Sequence, residues 1–192
     1  MFIGGGEKSF TVERDGVYKI TMVGGGAGGA QDPNDSLSPC GGGSGAAVIL
    51  WRELKKDDVC TFQVGFGGKG LYTENGNVIQ ATVGGDTVFY INSVQVAKAG
   101  GGTRGLKARA VAEGGDINIR GSFPKIGNVN GFASSTPAFS LGADSIFGQG
   151  SYSSSDLPAI GAGGYGSRYI SSNVYNNGGD GADGAVIIEY LK

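Results

Sequence analysis

The chain has no histidine among its 192 residues, and only two cysteines, two methionines, five prolines and one tryptophan. Without imidazole the usual general base near neutral pH is missing, and so is a Ser-His-Asp triad. Cys40 and Cys60 lack CxxC spacing and fall in different expected elements. With no histidine to complete a ligand set, a metal site is not expected. The two cysteines read as unpaired thiols in a protein made in a cytosol, with a Cys40–Cys60 disulfide as the alternative. Formal net charge is −2 and no basic stripe is present, so nothing favours nucleic acid or an anionic membrane surface. No apolar run reaches the ~18 residues of a membrane span, and no membrane insertion is expected. Met1-Phe2-Ile3 passes straight into glycine, without the basic start and apolar stretch of a secretory signal. The length fits one domain, residues 1–192.

What the chain has in excess is glycine, 40 residues, roughly three times average usage. Most lie in runs: Gly4-Gly5-Gly6, Gly24-Gly25-Gly26, Gly28-Gly29, Gly41-Gly42-Gly43, Gly100-Gly101-Gly102, Gly163-Gly164 and Gly178-Gly179. Such a run has no side chain to bury and loses the most backbone entropy on ordering. It stays a loose linker unless main chains pack on one another. Here each run abuts a segment with strand character, which points to packing. A polyproline II strand has about three residues per turn and no internal hydrogen bonds. Glycine versions can lie side by side with no Cβ between them, pairing amides with neighbouring carbonyls and adding Cα–H···O contacts. Several runs from distant parts of the chain are expected to form such a bundle.

Strand patterns fill much of the remainder. Residues 9–23 (SFTVERDGVYKITMV) read as a hairpin about a tight turn at Asp15-Gly16, with Tyr18, Ile20 and Met22 alternating against Val17, Lys19 and Thr21. Residues 46–52 (AAVILWR) are a continuous apolar run, read as a strand covered on both faces with Trp51 in the core. A polar turn follows at 54–58, and residues 59–66 put Cys60, Phe62, Val64 and Phe66 on one face. Residues 86–99 read as two strands about Asn92-Ser93, 116–120 as a short strand and 185–191 as a buried closing strand. No stretch carries a helical stripe, so the chain reads as all-β. Residues 31–39, 122–160 and 167–177 read as loops rich in Ser, Asn, Pro and Gly. A loop as long as the middle one points to function or to an unusual fold.

Several motifs carry less than their shape suggests. Gly24–Gly29 (GGGAGG) and Gly65–Gly70 (GFGGKG) both satisfy GxGxxG. A dinucleotide site needs a helix next, so that amides and dipole meet the pyrophosphate. QDPNDSLSP and LYTENGN follow instead, and no phosphate loop of the GxxxxGK[ST] type exists, so no cofactor is expected. Gly178–Gly184 (GGDGADG) looks like one calcium-binding nonapeptide turn. One copy cannot supply six or more oxygens. It reads as a tight turn before the last strand, with a weak surface calcium at Asp180 and Asp183 as the alternative. Asn34-Asp35-Ser36 is an incidental glycosylation triplet. The carboxylates do not converge: Asp57-Asp58 sits in a turn, and Glu113 and Asp116 flank a glycine pair. The chain is expected not to be an enzyme.

In order, the chain carries FTVERDGVYKITMV, GGGAGG, GGGSGAAVILWRELKKDDVCTFQVGFGGKG, GGDTVFYINSVQVAKAGGG, GGDINIRG, GAGGYG and GGDGADGAVIIEY. This order covers most of its length and resembles the glycine-rich domain of bacteriophage tail-fibre and tail-tip proteins. The resemblance implies an antiparallel β-sandwich joined to glycine-rich polyproline II-like segments and long loops, in a virion protein that contacts the host. Distal adhesins of some T-even-like phages are similar in one respect: their glycine-rich segments alternate with variable loops that touch the receptor. The glycine-rich ectodomain of some receptor tyrosine kinases has a similar grammar, but its cysteine framework and signal peptide are missing here. Two departures point to a small or partial bundle. The runs rarely exceed three consecutive glycines, and the middle region has few consecutive glycines and many aromatics.

Phe123, Phe132, Phe139, Phe147, Tyr152, Tyr165, Tyr169 and Tyr175 fall where strands do not. Rings among Ser, Gly and Asn have the makeup of adaptable recognition loops. The alternative is that they plug a thin core or cap the glycine bundle. The candidate receptor-binding set is Tyr152, Tyr165, Tyr169, Tyr175 and Phe147. The implied function is a non-enzymatic adhesin at a tail-fibre tip, in a virion assembled from protein made in the host cytoplasm. Its partners would be a bacterial surface receptor, either glycan or outer-membrane protein, and another fibre subunit reached through the N-terminal residues. Phage fibres are commonly trimeric, though a tip adhesin can also sit as a single copy on a trimeric shaft. No heptads supply a shaft here. The alternative function is a structural virion component, a head-decoration or fibre/tail connector protein that binds other virion subunits.

Overall fold

A computed structural model describes residues 1–32, 35–104, 108–126, 140–152, 156–166, 169–171, 174–175 and 177–192, with the main chain alone at 31–32, 35–39, 125–126, 169–171 and 174–175. Two five-stranded antiparallel sheets dominate. One runs β1 (Phe2–Ile3), β18 (Ala185–Tyr190), β3 (Gly16–Val23), β6 (Ala47–Leu54), β13 (Ile117–Ile119) in spatial order. The other runs β12 (Ala112–Glu113), β11 (Val94–Ala99), β10 (Thr87–Ile91), β7 (Val59–Val64), β2 (Gly6–Thr11). Four hairpin-like pairs stand apart: β4 (Ala30–Asp32) with β5 (Asp35–Cys40), β8 (Tyr72–Glu74) with β9 (Asn77–Ile79), β14 (Lys125–Ile126) with β15 (Ser140–Leu141), and β16 (Tyr169–Ser171) with β17 (Val174–Tyr175). No helix occurs among the described residues.

The sheets pack face to face through the period-two alternation of their strands. Tyr18, Ile20, Met22, Val48, Leu50 and Val186 from one sheet join Cys60, Phe62, Val64, Phe89, Ala97 and Ala99 from the other in one buried cluster. Phe62 and Phe89, opposite each other on β7 and β10, stack with centroids 4.6 Å apart. The β10–β11 turn is the expected one, with Asn92 and Ser93 at φ 47° and 69°, matching the twist of the strands it joins.

Other local expectations yield to tertiary pairing. Residues 9–23 are no hairpin: β2 pairs with β7 in one sheet, while β3 pairs with β6 and β18 in the other. Asp15 lacks the left-handed conformation a tight hairpin turn requires. It sits in a crossover, where its Oδ1 accepts the Lys56 amide at 2.7 Å. Eight-residue pairing with β6 along the whole of β3 outweighs what a local turn offers. Trp51 is not in the core but 39% exposed. Among the described residues, only the bundle-side half of that outer sheet face is covered, at Val23, Ala47 and Ala185, by Phe147 and Ile160. Phe66 is 61% exposed, because β7 ends at Val64 and the alternation stops there. The last strand is buried at Ala185 and Val186 but exposed at Glu189 and Tyr190. The segments read as loops at 31–39 and 167–177 contain the β4–β5 and β16–β17 pairs, and the middle one contains β14 and β15.

Beyond β3, β7 and β11 the chain enters glycine runs, and from such runs it returns into β6, β10 and β18. Residues 24–29 lie at the centre. Gly24 and Ala27 donate to the carbonyls of Ala46 and Gly43, Gly25 and Gly28 to Gly85 and Thr82, Gly26 and Gly29 to Ala182 and Gly179, all at 2.8 to 3.1 Å. The acceptor segment repeats every third residue, as it must when each residue of a polyproline II strand turns by about 120°. Three more segments donate inward: Gly68 and Leu71 to Gly26 and Gly29, Gly102 to Gly25, and Gly164 to Ala27. The six surrounding segments are bonded to one another as well. Gly43 donates to Thr103, Gly84 to Gly102, Gly85 to Phe66, Gly181 to Gly68, Ala182 to Ala162 and Gly42 to Gly164, which closes the ring. The bundle is therefore complete around its central segment, not partial. Isolated triplets suffice because one turn needs only about three residues.

Glycine serves closeness here. None of the glycines from Gly24 to Gly29 is in the left-handed region, yet a Cβ on Gly26 or Gly29 would fall closer than 3.0 Å to the main chain at Ala162 or Tyr165. At the junction of sandwich and bundle, buried Thr87 donates from Oγ1 to the Val23 carbonyl at 2.7 Å and accepts the Gly65 amide at 3.0 Å. Thr87→Val keeps the shape and strands both groups, each costing about 1–3 kcal/mol. Urea unfolding of that variant should show a midpoint lowered accordingly, with the slope unchanged.

Candidate functional site

The two five-stranded sheets meet the bundle at one end, so its outgoing segments turn back at the other. Five connections emerge there: 29 to 41 through β4–β5, 71 to 81 through β8–β9, 103 to 110, 122 to 140, and 166 to 178 through β16–β17. Their roots are tied together. Leu71 donates to Gly29 and Gly178 to Leu71, Gly166 donates to Ser140, and the Gly41 amide bonds Ser140 Oγ at 2.7 Å. The described roots of these connections are thus held in fixed relative positions, and loops on a rigid scaffold are where binding is usually carried.

The five candidate residues are not equivalent. Tyr152 is 41% exposed and follows Ser151, whose amide donates to Gly163 and whose Oγ accepts the Tyr165 amide at 2.8 Å. Tyr165 is half-buried, and its carbonyl accepts Gly179. Its ring lies against Gly179, where a Cβ would collide with it. Phe147 is half-buried against Val23, Ala47 and Ala185, nearer the sandwich than the loop end. Tyr169 and Tyr175 are cross-strand partners in the β16–β17 pair, and their side chains lie outside the described residues. Phe132 and Phe139 lie outside them too, while Phe123 carries the Arg109 guanidinium 4.6 Å from its ring centroid.

Sequence reading missed the β8–β9 hairpin at this end. Its signal was present: Asn75-Gly76 between short apolar flanks, with φ 49° and 78° in the structure. Tyr72 and Ile79 lie opposite each other on it and are each 37% exposed. Leu157, 94% exposed, was also overlooked, having no periodic pattern to mark it.

The polar groups of the bundle act as its fasteners. Asp183 accepts the Gly67 amide at 2.7 Å and the Gly5 amide at 3.2 Å. Asp180 accepts the Gly70 amide at 2.8 Å and pairs with Lys69 at 2.7 Å. Both carboxylates thus face N–H donors, and Gly178–Gly184 is not the expected tight turn but an extended ring segment, bonded along its length at Gly179, Gly181, Ala182 and Gly184. Both GxGxxG stretches are bundle segments: the amides of residues 24–29 and those of Gly65, Gly67, Gly68, Lys69 and Gly70 are all bonded within the protein. Cys40 and Cys60 are separate buried thiols. Burial, helped by the Asp58 charge, pushes Cys60 up to about 11.

Asp86 ties the 100–103 segment to the sandwich: it accepts the Gly101 amide at 2.8 Å and pairs with Lys98. Burial pushes its carboxyl up, but the hydrogen bond from Lys98, the Gly101 amide and the Lys98 charge together hold it below the ordinary 3.8. A depressed folded-state value means stability that is present above 3.8 and lost as pH falls through the lower folded value. Asp86→Ala should cost about 1 kcal/mol at neutral pH. In thermal melts from pH 7 to pH 2 the gap to wild type should close on the acid side.

Residues 4–156 match the family model of a glycine-rich domain. The chain belongs to this glycine-rich domain family. In this glycine-rich domain, the matched span holds the central segment and the neighbours at 43–46, 65–71, 82–85 and 100–103, while 161–166 and 178–184 complete the ring beyond it. A search of curated proteins gives no match.

Proposed function

We propose that this glycine-rich domain is a non-enzymatic adhesin at the tip of a phage tail fibre. It recognises a bacterial surface glycan or outer-membrane protein through the loops at the far end of the bundle. The single observation that carries this reading is that the roots of five connections gather at the end of the bonded seven-segment bundle away from the sandwich, three of them joining its own segments and two rooted on or beside it. Roots held in place by the bundle lower the entropy that must be given up on contact. Tyr169 and Tyr175 from β16–β17 and Tyr72 from β8–β9 are the proposed ring contacts, joined by Tyr152, which lies outside the five connections but follows Ser151, bonded to Tyr165 at the root of the last of them. Tyr165 and Phe147 are assigned to supporting these loops, since both pack on the scaffold.

A second reading, a head-decoration or connector protein of the virion, draws on another observation. The outer sheet face presents Trp51, Ile117 and Ile119 at 39%, 45% and 36% exposure, an apolar surface suited to a subunit contact. Fluorescently labelled protein separates the two. Staining of host cells together with blocked phage adsorption supports the adhesin. Retention on capsid or tail with no cell staining supports the second reading.

A further inference from the structure

Most sheet edges in this fold resist an added strand. β13 and β12 are three and two residues long, and β2 carries Glu7 and Lys8 along its edge. Short and charged edges discourage pairing. β18 differs. It pairs with β3 from Ala185 to Tyr190, but with β1 only through Val186↔Phe2 and Ala185↔Ile3. Leu191 donates to Val17 at 2.9 Å, which turns the ladder groups of the odd-numbered residues toward β3, since hydrogen-bonded positions alternate. Those of Ile188 and Tyr190 therefore face the side that β1 leaves uncovered.

Beside this edge, bare among the described residues, at the mouth of the sandwich opposite the bundle, lies a hollow of about 300 Å³ walled by Phe2, Phe10, Tyr18, Ile188 and Tyr190. The Tyr18 ring meets Tyr190 edge-on at 5.2 Å and Phe10 at 6.3 Å. Its hydroxyl donates to the Arg14 carbonyl at 2.9 Å, so the apolar walls are the part left to bind. Glu13 and Arg14 make a rim of opposite charges, the Arg14 guanidinium lying 3.6 Å from the Tyr190 ring centroid.

We propose that this edge accepts one extended strand from a partner chain, laid antiparallel to β18 in continuation of β1. Residues directly opposite in an antiparallel pair share a face. In the register of β1, the incoming residues opposite Ile188 and Tyr190 point into the hollow and the one opposite Glu189 points out. Strand addition takes its affinity from main-chain bonds and its specificity from pockets for alternate side chains. The occupant is thus a neutral strand, apolar at every second position. Charge is not required of it, because Glu189 is held by Lys19 at 2.9 Å and the rim charges balance. The β18 of a second copy does not fit, since its own inward residues, Ile188 and Tyr190, already wall its own hollow. The loops at the opposite end play no part in this, and attachment here would leave them free.

The test places Thr-Val-Thr-Val directly before Met1, with valines opposite Ile188 and Tyr190. The control places Val-Thr-Val-Thr there, with the valines turned outward. NMR hydrogen exchange of the full chain should show the Ile188 and Tyr190 amides slowed about tenfold or more by the first extension and not by the second. Free Thr-Val-Thr-Val peptide at millimolar concentration should slow the same amides of the unextended protein. Protection in neither case, or equal protection by both extensions, overturns the proposal. Concentration-dependent self-association of the unextended protein that protects those two amides assigns the edge to a second copy and overturns it equally. Cell staining is a separate measurement, so failure here and failure of the adhesin reading are told apart.

Discussion

Gly26→Ala is expected to melt far below the wild-type protein, or not to fold at all. The added Cβ would sit closer than 3.0 Å to the carbonyl carbon and oxygen of Ala162. That obstacle is main chain, which cannot swing aside as a flexible side chain can. Moving it breaks the bonds that Ala162 and Ala182 make round the ring. Overpacking a core costs about 1–3 kcal/mol when side chains can adjust, and here the upper end or more is expected. For a chain of this size that is a fall of roughly 6–12 °C in Tm. Gly101→Val should behave likewise, its Cβ meeting the Gly84 carbonyl. Gly76→Asn is the control. Gly76 has φ 78° with nothing within 4 Å of an added Cβ, and asparagine tolerates that conformation. It should melt within a few degrees of wild type. Equal melting of the Gly26 and Gly76 variants would show that close backbone approach does not hold the bundle.

Replacing Tyr152, Tyr169 and Tyr175 together by alanine should lower cell binding about 100-fold or more while leaving Tm almost unchanged. Tyrosine is enriched among residues whose truncation costs about 2 kcal/mol or more at interfaces, and about 1.4 kcal/mol is tenfold in affinity. Exposed loop residues contribute little to folding, typically within about 0.5 kcal/mol, and Tyr152 is 41% exposed. Tyr165→Ala tests the opposite role. It should lower Tm, since its ring lies against Gly179, and reduce binding only by loosening the scaffold. The assignment of recognition to these loops fails if the triple variant unfolds and binding drops only in proportion to the folded fraction.

The period-two segments were legible because strand alternation is local. Cys60, Phe62 and Val64 are buried on one face as read, and the Asn92-Ser93 turn stands where expected. Phe66 broke the pattern only because β7 stops at Val64, a boundary set by Gly65 joining the bundle. The Asp15-Gly16 signal misled because a turn preference worth little on its own met the longer pairing of β3 with β6. Trp51 was misjudged because an apolar run does not tell which part of a sheet face is covered. At the candidate site, Tyr152 and Tyr165 look alike in sequence, each flanked by small residues. Only packing separates the exposed ring from the one lying on glycine.

By itself the sequence determined that this is a β protein whose glycine runs must pack main chain to main chain, since runs adjoining so many strands have no other way to repay their entropy. It also determined where most strands lie. Tertiary structure alone decided which run lies beside which, which sheet each strand joins, and that five loops leave by the same end. The reason is physical. Side-chain alternation writes a strand's face into its own residues, whereas a glycine amide bonds any carbonyl equally well. Its partner is chosen only when the six neighbours of residues 24–29 close their ring together.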